Sequence, residues 1–243
     1  SDRNRVRGFV ESNGYVSLEA EHYTRVVNSD PIEWLRIPNL GRTLSGITPV
    51  PVTAKSQMPG GDSPRLEYCL HLWSRGKVKV NVYVSPTQNF RDTQGLRYGI
   101  SFDSEEPQIV NIHEKDTVPD WKYPPIWSQA VGENIKVTTS EHLLQEPGEH
   151  VLKFWMVDPG IVLQKIVVDT GGVKPSYLGP PESCFTGGSA KAKAGSTQSD
   201  IDGSGAFATG KYRNLFVEAG HSEEEVAAKI SRAYRQLLHG DPN

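Results

Sequence analysis

Strict alternation of apolar and polar side chains is the feature that most constrains the fold of this chain. In the stretch KVKVNVYVSP, valines at positions 78, 80, 82 and 84 alternate with polar or amphipathic residues. Successive side chains of a β-strand point to opposite faces of a sheet, so this pattern predicts a strand with one buried face. The stretches GLRYGISFDS and GEHVLKFWMVDPG repeat the pattern and predict two further strands.

Short alternating segments, punctuated by glycine and proline, continue from residue 9 to about residue 175. This arrangement is typical of an antiparallel sandwich, and we predict an all-β, jelly-roll-like β-sandwich over residues 1–183. After the DPG turn at residues 158–160, the stretch IVLQKIVVD is predicted to be the hairpin partner of the strand before it. The proline-rich stretch at residues 118–136 is predicted to be a loop, with a helical turn near Ser128 to Val131.

The C-terminal quarter of the chain has a different character. Residues 184–205 are rich in Gly, Ser and Ala with almost no large apolar side chain, so we predict a flexible linker there. Residues 206–243 change to a helical period. Ser222 and Glu225 form a capping box, and an apolar stripe follows with nothing after it in the sequence to cover it.

Charge and hydropathy exclude several classes of partner. The chain has 26 Lys+Arg against 29 Asp+Glu, a net charge of -3, and no dense basic tract, so we expect no nucleic-acid partner. No apolar run approaches the ~18 residues of a membrane span. The two cysteines, Cys69 and Cys184, show neither metal-ligand spacing nor a disulfide-framework pattern.

The sequence contains no recognisable catalytic motif. Nucleophile-elbow, zinc-protease, phosphate-loop and dinucleotide-binding patterns are all missing, and the seven histidines are scattered. We therefore expect no catalytic residues in this chain and no required cofactor.

Aromatic residues are the better candidates for binding. Trp73 and Trp155 fall on the polar faces of predicted strands, where a tryptophan is either covered by a loop or stacked on a ligand such as a sugar ring. Loops at the rim of a sandwich present side chains to ligands, so the proline-rich stretch adds three candidates: Trp121, Tyr123 and Trp127.

Two carboxylates in the stretch SLEAEHY are candidates for a structural calcium site. Glu19 and Glu21 lie two residues apart, hence on one face of a strand, and repel each other unless a cation or a basic side chain joins them. Asp169, at the end of KIVVD, is the best further ligand. The alternative is a pair of solvated carboxylates on an outer face.

Several long stretches resemble one known family in the same order along the chain. GFVESNGYVSLEAEHYTR, WLRIPNLGRTLSGITPVPV, PRLEYCLHLWSRGKVKVNVYVSPTQNF, GLRYGISFDSEEPQIVNI and HVLKFWMVDPGIVLQKIVVDTGGVKPSYLGPPES resemble the C-terminal β-sandwich of glycoside hydrolase family 115, the xylan α-glucuronidases. The resemblance covers residues 9–183. The EAEHYT segment also resembles the first strand of family 6 and 35 carbohydrate-binding modules, where acidic residues hold calcium.

A second resemblance covers residues 205–243. YRNLF followed by the Ser-Glu-Glu-Glu helix start is similar to the N-terminus of glycoside hydrolase family 8, in particular the xylan-active exo-oligoxylanases. That family folds as an (α/α)6 barrel, so the resemblance implies that residues 206–243 are the first helices of a truncated family 8 domain. The catalytic acid and base of that family lie further along the chain and have no counterpart here.

Both resemblances point to xylan. They imply a carbohydrate-binding-module-type sandwich that binds xylan or glucuronoxylan, tethered to a family 8 catalytic domain and secreted, periplasmic or at the cell surface. Arg42 and Arg97 are the candidates for a uronic carboxylate, which arginine clamps with two hydrogen bonds, although ordinary ion pairs are as good an account. The alternative function is a structural or dimerisation module, a homodimer in which the aromatic residues face protein.

Overall fold

Thirteen strands and one α-helix are assigned in the described part of the chain, which is residues 6–91, 95–116 and 125–187 of a computed structural model. In chain order they are β1 Gly8–Val10, β2 Tyr15–Glu19, β3 Arg25–Val27, β4 Glu33–Ile37, β5 Gly46–Val50, β6 Arg65–Leu72, β7 Gly76–Val84, β8 Arg97–Phe102, β9 Gln108–Asn111, α1 Pro125–Glu133, β10 Lys136–Leu144, β11 Gly148–Met156, β12 Leu163–Asp169 and β13 Phe185–Thr186. A single 3₁₀ turn, Ala20–His22, follows β2.

The strands form two sheets, and the predicted β-sandwich is confirmed. Sheet 1 has seven strands in the order β13-β1-β6-β11-β8-β9, with β3 paired to β6. Sheet 2 has six strands in the order β10-β7-β12-β5-β4, with β2 paired to β12. The described ladders are antiparallel except for β1 and β6, which run parallel.

The alternating residues of both sheets meet in one core. Val78, Val80, Val82 and Val84 of β7 are each at most 2% exposed, as the alternation predicts. From sheet 1, Tyr98 and Phe154 stack with ring centroids 4.9 Å apart. Buried tyrosine hydroxyls need partners, and Tyr68 donates its hydrogen bond to the carbonyl of Ala20 over 2.8 Å. The core therefore joins the two sheets along their length.

The predicted hairpin around the DPG turn is wrong. β11 pairs with β6 and β8 in sheet 1, whereas β12 pairs with β2, β5 and β7 in sheet 2. The turn therefore carries the chain from one sheet to the other. The physical reason lies in β12, whose residues from Leu163 to Val168 are all buried, as expected of a central strand rather than the second arm of a hairpin.

The proline-rich stretch contains more helix than predicted. α1 has nine residues and includes the predicted turn near Ser128 to Val131. Pro125 is its first residue, a position where proline is tolerated because the missing N–H has no partner within the helix. Residues 117–124 lie outside the described residues.

The sandwich extends beyond the boundary predicted at residue 183. Phe9 pairs with Phe185 and Gly8 with Thr186, so two residues assigned to the linker form β13. The rings of Phe9 and Phe185 pack edge to face with centroids 5.0 Å apart, which explains why the chain stays on the sheet. The rest of the predicted linker and the predicted family 8 helices, residues 188–243, lie outside the described residues.

Within the described residues, no helix has the length and apolar character needed to cross a membrane.

Candidate functional site

Trp73 is the most exposed of the four tryptophans in the described residues, with 58% of its surface accessible. It opens the tight connection of residues 73–75 between β6 and β7, here called the Trp73 turn. His71, two residues earlier on the same face of β6, contacts the Trp73 ring edge to face at 4.2 Å between centroids. The indole is thus held against His71 while much of the ring remains open to a ligand.

Glu11 fixes the backbone of the Trp73 turn. Its buried carboxylate accepts hydrogen bonds from the backbone N–H groups of Trp73 (2.6 Å) and Ser74 (2.8 Å). It also accepts hydrogen bonds from the hydroxyls of Ser74 (2.5 Å) and Thr170 (2.6 Å). Burial raises the pKa of Glu11, but these four hydrogen bonds more than offset it and hold the pKa below its ordinary value. The carboxylate is therefore ionised at neutral pH, and the turn is held in one conformation.

Arg75 brings a positive charge to the same turn. It is exposed, and among the described residues no ion pair or hydrogen bond occupies its side chain. The following residue, Gly76, has φ +95, a left-handed conformation that favours glycine and allows the sharp reversal into β7. Trp73 and Arg75 together offer an aromatic surface and an available guanidinium on one rigid segment.

Trp155 is covered by its neighbours, the first of the two alternatives for a tryptophan on a polar strand face. It is 4% exposed, and its indole N–H donates to the hydroxyl of Ser101 over 3.0 Å. The guanidinium of Arg65 lies over the ring at 4.7 Å from its centroid. Every side of the ring that a sugar would need is occupied by protein.

Arg97 forms a structural ion pair. Its Nε and Nη2 donate to Asp158 over 2.8 and 3.3 Å, and its backbone N–H adds a third bond of 3.0 Å. Ser56 donates to the same carboxylate over 2.5 Å. Burial raises the pKa of Asp158, but the bonds from Arg97 and Ser56 outweigh it and lower the pKa. Arg97 therefore stabilises the connection between β11 and β12, and the geometry favours the ion-pair account of this residue.

Arg42 is likewise engaged by protein. Its Nε donates to the backbone carbonyl of Glu133 over 2.8 Å and its Nη2 to the Glu133 carboxylate over 3.2 Å. Its Nη1 donates to the carbonyl of Tyr177, whose ring centroid lies 4.1 Å from the guanidinium carbon. Arg42 thus joins the β4–β5 connection, α1 and the segment after β12.

The predicted aromatic loop is described only in part. Trp127 lies on α1 and is half-buried, while Trp121 and Tyr123 lie outside the described residues. Trp127 and Arg42 belong to the end of the sandwich where α1 lies, because Arg42 bonds the last residue of that helix. Trp73 lies at the other end of β7, so those predicted binding residues that the structure describes do not converge on one site.

The three predicted calcium ligands are not brought together. Glu19 pairs with Lys165 in the β2–β12 ladder and Asp169 with Tyr15, four positions further along, which is about 13 Å. Glu19 bonds the ammonium of Lys165 at 2.9 Å, Glu21 bonds Arg36, and Asp169 accepts backbone N–H groups of Gly171, Gly172 and Val173. The described residues present no group of three or more metal-ligating side chains, and calcium binding stays a prediction.

Sequence reasoning missed two residues that the structure places in exposed, supported positions. Arg75 directly follows Trp73-Ser74 and precedes a glycine, a turn signal that could have marked it. Tyr177, 64% exposed, could not have been recognised because its support comes from Arg42, far away in the chain.

Comparison with known families now decides the kind of domain. Residues 8–182 match the model of the glycosyl hydrolase family 115 C-terminal domain, which is most of the chain. The chain belongs to the family 115 C-terminal domain family. The predicted resemblance is confirmed, and so is the expectation that this region is a non-catalytic domain of a larger glycoside hydrolase. As a family 115 C-terminal domain it is a carbohydrate-related accessory module.

One curated relative matches a short part of this chain. The reducing-end xylose-releasing exo-oligoxylanase Rex8A of Paenibacillus barcinonensis is 40% identical over 42 residues, which is 17% of this chain and 11% of the relative. The chain therefore spans about a tenth of that relative's length. This agrees with the predicted resemblance to family 8.

Solved structures similar to the family 115 C-terminal domain include other carbohydrate-active proteins. A family GH115 4-O-methyl-α-glucuronidase with specificity for decorated arabinogalactans aligns with a TM-score of 0.48 and 14% identity over 65% of this chain and 18% of its own. The C-terminal CBM6 of the laminarinase LamC from Zobellia galactanivorans aligns with a TM-score of 0.39 and 13% identity, over 64% of this chain and 98% of its own. A family 35 carbohydrate-binding module from Clostridium thermocellum aligns with a TM-score of 0.40 and 12% identity, over 63% of this chain and 97% of its own.

Proposed function

We propose that this domain is a carbohydrate-binding module that binds xylan, in particular glucuronoxylan, on the Trp73 turn. The observation that carries the proposal is an exposed tryptophan on a turn that a buried carboxylate holds rigid. Sugar rings have an apolar C–H face and a rim of hydroxyls, so an aromatic ring in water is a suitable platform for them. The family 8 exo-oligoxylanase that matches part of the chain supports xylan as the polymer.

Rigidity of the turn favours binding. A ligand that stacks on Trp73 does not have to order the loop first, because Glu11 already bonds both backbone N–H groups and the indole already packs on His71. Less conformational entropy is then lost on binding. Covering one face of an indole removes roughly 80 Å² of apolar surface from water, which is worth about 2 kcal/mol.

Arg75 accounts for the preference for glucuronoxylan. Its guanidinium can donate two parallel hydrogen bonds to the carboxylate of a uronic acid side group. Arg42 and Arg97, the arginines predicted for this role, point their donors at Glu133 and Asp158. We therefore assign the role to Arg75, which is exposed two residues after Trp73 and has no ion pair or hydrogen bond to its side chain among the described residues.

The host protein completes the proposal. A sandwich tethered to a family 8 catalytic domain would raise the local concentration of substrate for that enzyme. Because the substrate is an insoluble or very large polymer, the host is proposed to be secreted, periplasmic or displayed at the cell surface.

Calorimetry on the full chain tests the proposal. A xylo-oligosaccharide that carries a glucuronic acid side group is expected to bind the wild type and to lose about 30-fold in affinity with Trp73→Ala. Arg75→Gln is expected to lose about fivefold for the same ligand, since an exposed ion pair with two hydrogen bonds contributes about 1 kcal/mol. Val52→Ala, an equally exposed apolar residue in the β5–β6 connection, is the matched control. Unchanged affinity in the Trp73 variant contradicts the proposal.

A second candidate function is a structural or dimerisation module. Val137 and Leu143 are 46% and 52% exposed on β10, which ends the strand order of sheet 2. Apolar residues on an edge strand favour contact with protein. Light scattering that shows a stable dimer in the wild type, and a monomer after Leu143→Lys, would support dimerisation, whereas a monomeric wild type would exclude it.

A further inference from the structure

We infer a second sugar-binding surface, for neutral sugars, centred on Tyr177 at the end of β7 opposite the Trp73 turn. The Tyr177 surface consists of Tyr177, Leu178, Glu133 and Gln129. The inference rests on the proposed function, because it assumes that the domain binds glycans. It adds a site, a ligand class and a two-point mode of attachment to it.

The aromatic ring at this surface is supported from beneath. The guanidinium of Arg42 lies 4.1 Å from the centroid of the Tyr177 ring, and its side chain is only 9% exposed. Arg42 itself is fixed by the carbonyl and carboxylate of Glu133 and by the carbonyl of Tyr177. A cation that is fixed and largely shielded from water holds a tyrosine ring more firmly than an exposed one. The ring is therefore positioned before any ligand arrives.

The other side of the ring is open and bordered by apolar surface. Tyr177 is 64% exposed and the next residue, Leu178, is 53% exposed. The segment that carries them cannot swing away, because the ammonium of Lys165 bonds the carbonyls of Leu178 and Pro180 over 3.4 and 3.2 Å. An exposed aromatic ring next to an exposed leucine on an anchored segment matches the apolar face of a sugar.

Polar groups for the hydroxyl rim stand beside the stack. The carboxylate of Glu133 accepts a hydrogen bond from Arg42 over 3.2 Å, and Gln129 donates to its Oε1 over 2.9 Å. Glu133 keeps 42% of its side chain exposed, and its oxygens have lone pairs to spare for sugar hydroxyls. Aromatic stacking together with a few carboxylate and amide contacts is the usual chemistry of a sugar site.

Charge separates this surface from the Trp73 turn. The guanidinium beneath Tyr177 is already paired with the Glu133 carboxylate, so this surface has no unpaired cation for a uronic acid. Arg75, two residues from Trp73, supplies one at the Trp73 turn. Distance separates them too, because β7 runs from Gly76 to Val84 and eight steps along a strand span about 26 Å. Gly179 lies near the hydroxyl of Tyr83, close to the far end of β7. A single sugar ring cannot occupy both surfaces, but one chain of a decorated polymer can.

NMR titration of the full chain with a neutral xylo-oligosaccharide tests the inference. The wild type is expected to show shifts at the backbone amides of Leu178 and Gly179, separately from any shift at the indole N–H of Trp73. Tyr177→Ala is expected to abolish the first set, with an affinity loss of about tenfold or more, and to leave the Trp73 signal unchanged. Phe90→Ala, another exposed aromatic residue, is the control and should change neither set.

Charge preference gives a second readout. Glu133→Gln keeps the hydrogen-bond acceptor towards Arg42 and removes the negative charge, so a uronic-acid-bearing oligosaccharide should then shift Leu178 and Gly179 more strongly than in the wild type. Absence of any shift at Leu178 and Gly179, or identical shifts in the Tyr177→Ala variant, overturns the second surface. If the Trp73 indole still responds in that case, the proposed function stands. If neither surface responds, both fail.

Discussion

Lys165 supplies a cation next to Glu19, one of the two alternatives that the sequence left open. Both side chains are 5% exposed, and the ammonium bonds the Glu19 carboxylate at 2.9 Å as well as two backbone carbonyls. Thr43 donates to the same carboxylate over 2.7 Å. A buried carboxylate is tolerable only with such partners. The lysine stands where a bound metal ion would otherwise be expected.

Lys165→Met is therefore expected to destabilise the domain strongly. Removing one partner of a buried ion pair leaves the other charge unpaired, which destabilises by about 3–5 kcal/mol. Urea unfolding measures the change, and Lys79→Met, an exposed lysine on β7, is the control. The double variant Lys165→Met with Glu19→Gln should recover part of the loss. A single variant as stable as the wild type would show that Glu19 has another cation, such as calcium.

At the residue scale, the sequence showed which side chains require a partner but not which residues would supply it. The sequence predicted Glu19 and Glu21 on one face of a strand, either joined by a positive group or solvated. The shared face is wrong, because β2 ends at Glu19 and Glu21 lies in the 3₁₀ turn, but each carboxylate does have a basic partner. Which groups these partners are depends on the pairing register of β12 with β2 and on Arg36 of β4, both distant in the chain. Trp73 and Trp155 have the same sequence pattern, each on the polar face of a predicted strand. Trp155 is covered only because residues from neighbouring strands, Arg65 and Ser101, contact its ring.

Among the elements, the segment after β12 is attached to sheet 2 by side chains. Ser17 bonds the carbonyl of Pro180 and the hydroxyl of Ser183, both over 3.0 Å. Glu182 accepts the backbone N–H of Glu19 over 3.0 Å and contacts Nδ1 of His22 over 2.8 Å. This segment carries Tyr177 at its beginning and leads into β13 at its end. Its attachment therefore affects the Tyr177 surface.

The His22 contact makes this attachment depend on pH. The hydrogen bond to Glu182 raises the pKa of His22 above its ordinary 6.5, more than burial lowers it, and the charges of Glu182, Glu21 and Glu19 add to the rise. A raised pKa in the folded state means that the stabilisation is complete below pH 6.5 and is lost as the pH rises through the folded value. The pair is partly exposed, so the effect is at most about 1 kcal/mol.

Thermal unfolding across this pH range measures the effect. The melting temperature of the wild type, relative to His22→Gln, is expected to fall by about 2–4 °C or less as the pH rises from about 6 to about 9. The comparison with the variant is needed because burial lowers the pKa of His142, which gives the opposite trend at acid pH. A difference between the two proteins that stays constant with pH would contradict a charged His22–Glu182 pair.

Strands were predictable where one face is buried and less so where both are. β7, β8 and β11 alternate in sequence and were identified from it, with their inward residues buried as expected, although the intervening Gly99 and Ser101 of β8 are buried as well. The partner of β12 was not predictable, because a strand buried on both faces has no pattern that tells which neighbours it has. The length of α1 was underestimated, because proline is compatible with the first turn of a helix as well as with a loop.

At the scale of the whole sandwich, the two proposed binding surfaces lie at opposite ends. One end carries the Trp73 turn, where β1, β6 and the end of β12 meet through Glu11. The other carries α1, Arg42 and Tyr177. The fold class and the family followed from sequence, since they depend on patterns repeated over many residues. The binding surfaces did not, because each is defined by contacts between a few residues that are distant in the chain.

Affinity electrophoresis of the full chain in native gels that contain glucuronoxylan tests the central claim most directly. The wild type should migrate more slowly than in a gel without polysaccharide. Trp73→Ala should lose most of that retardation, while Val52→Ala should behave as the wild type does. A wild-type chain that is not retarded, or a Trp73 variant retarded as much as the wild type, would contradict the assignment of a glucuronoxylan-binding surface to the Trp73 turn.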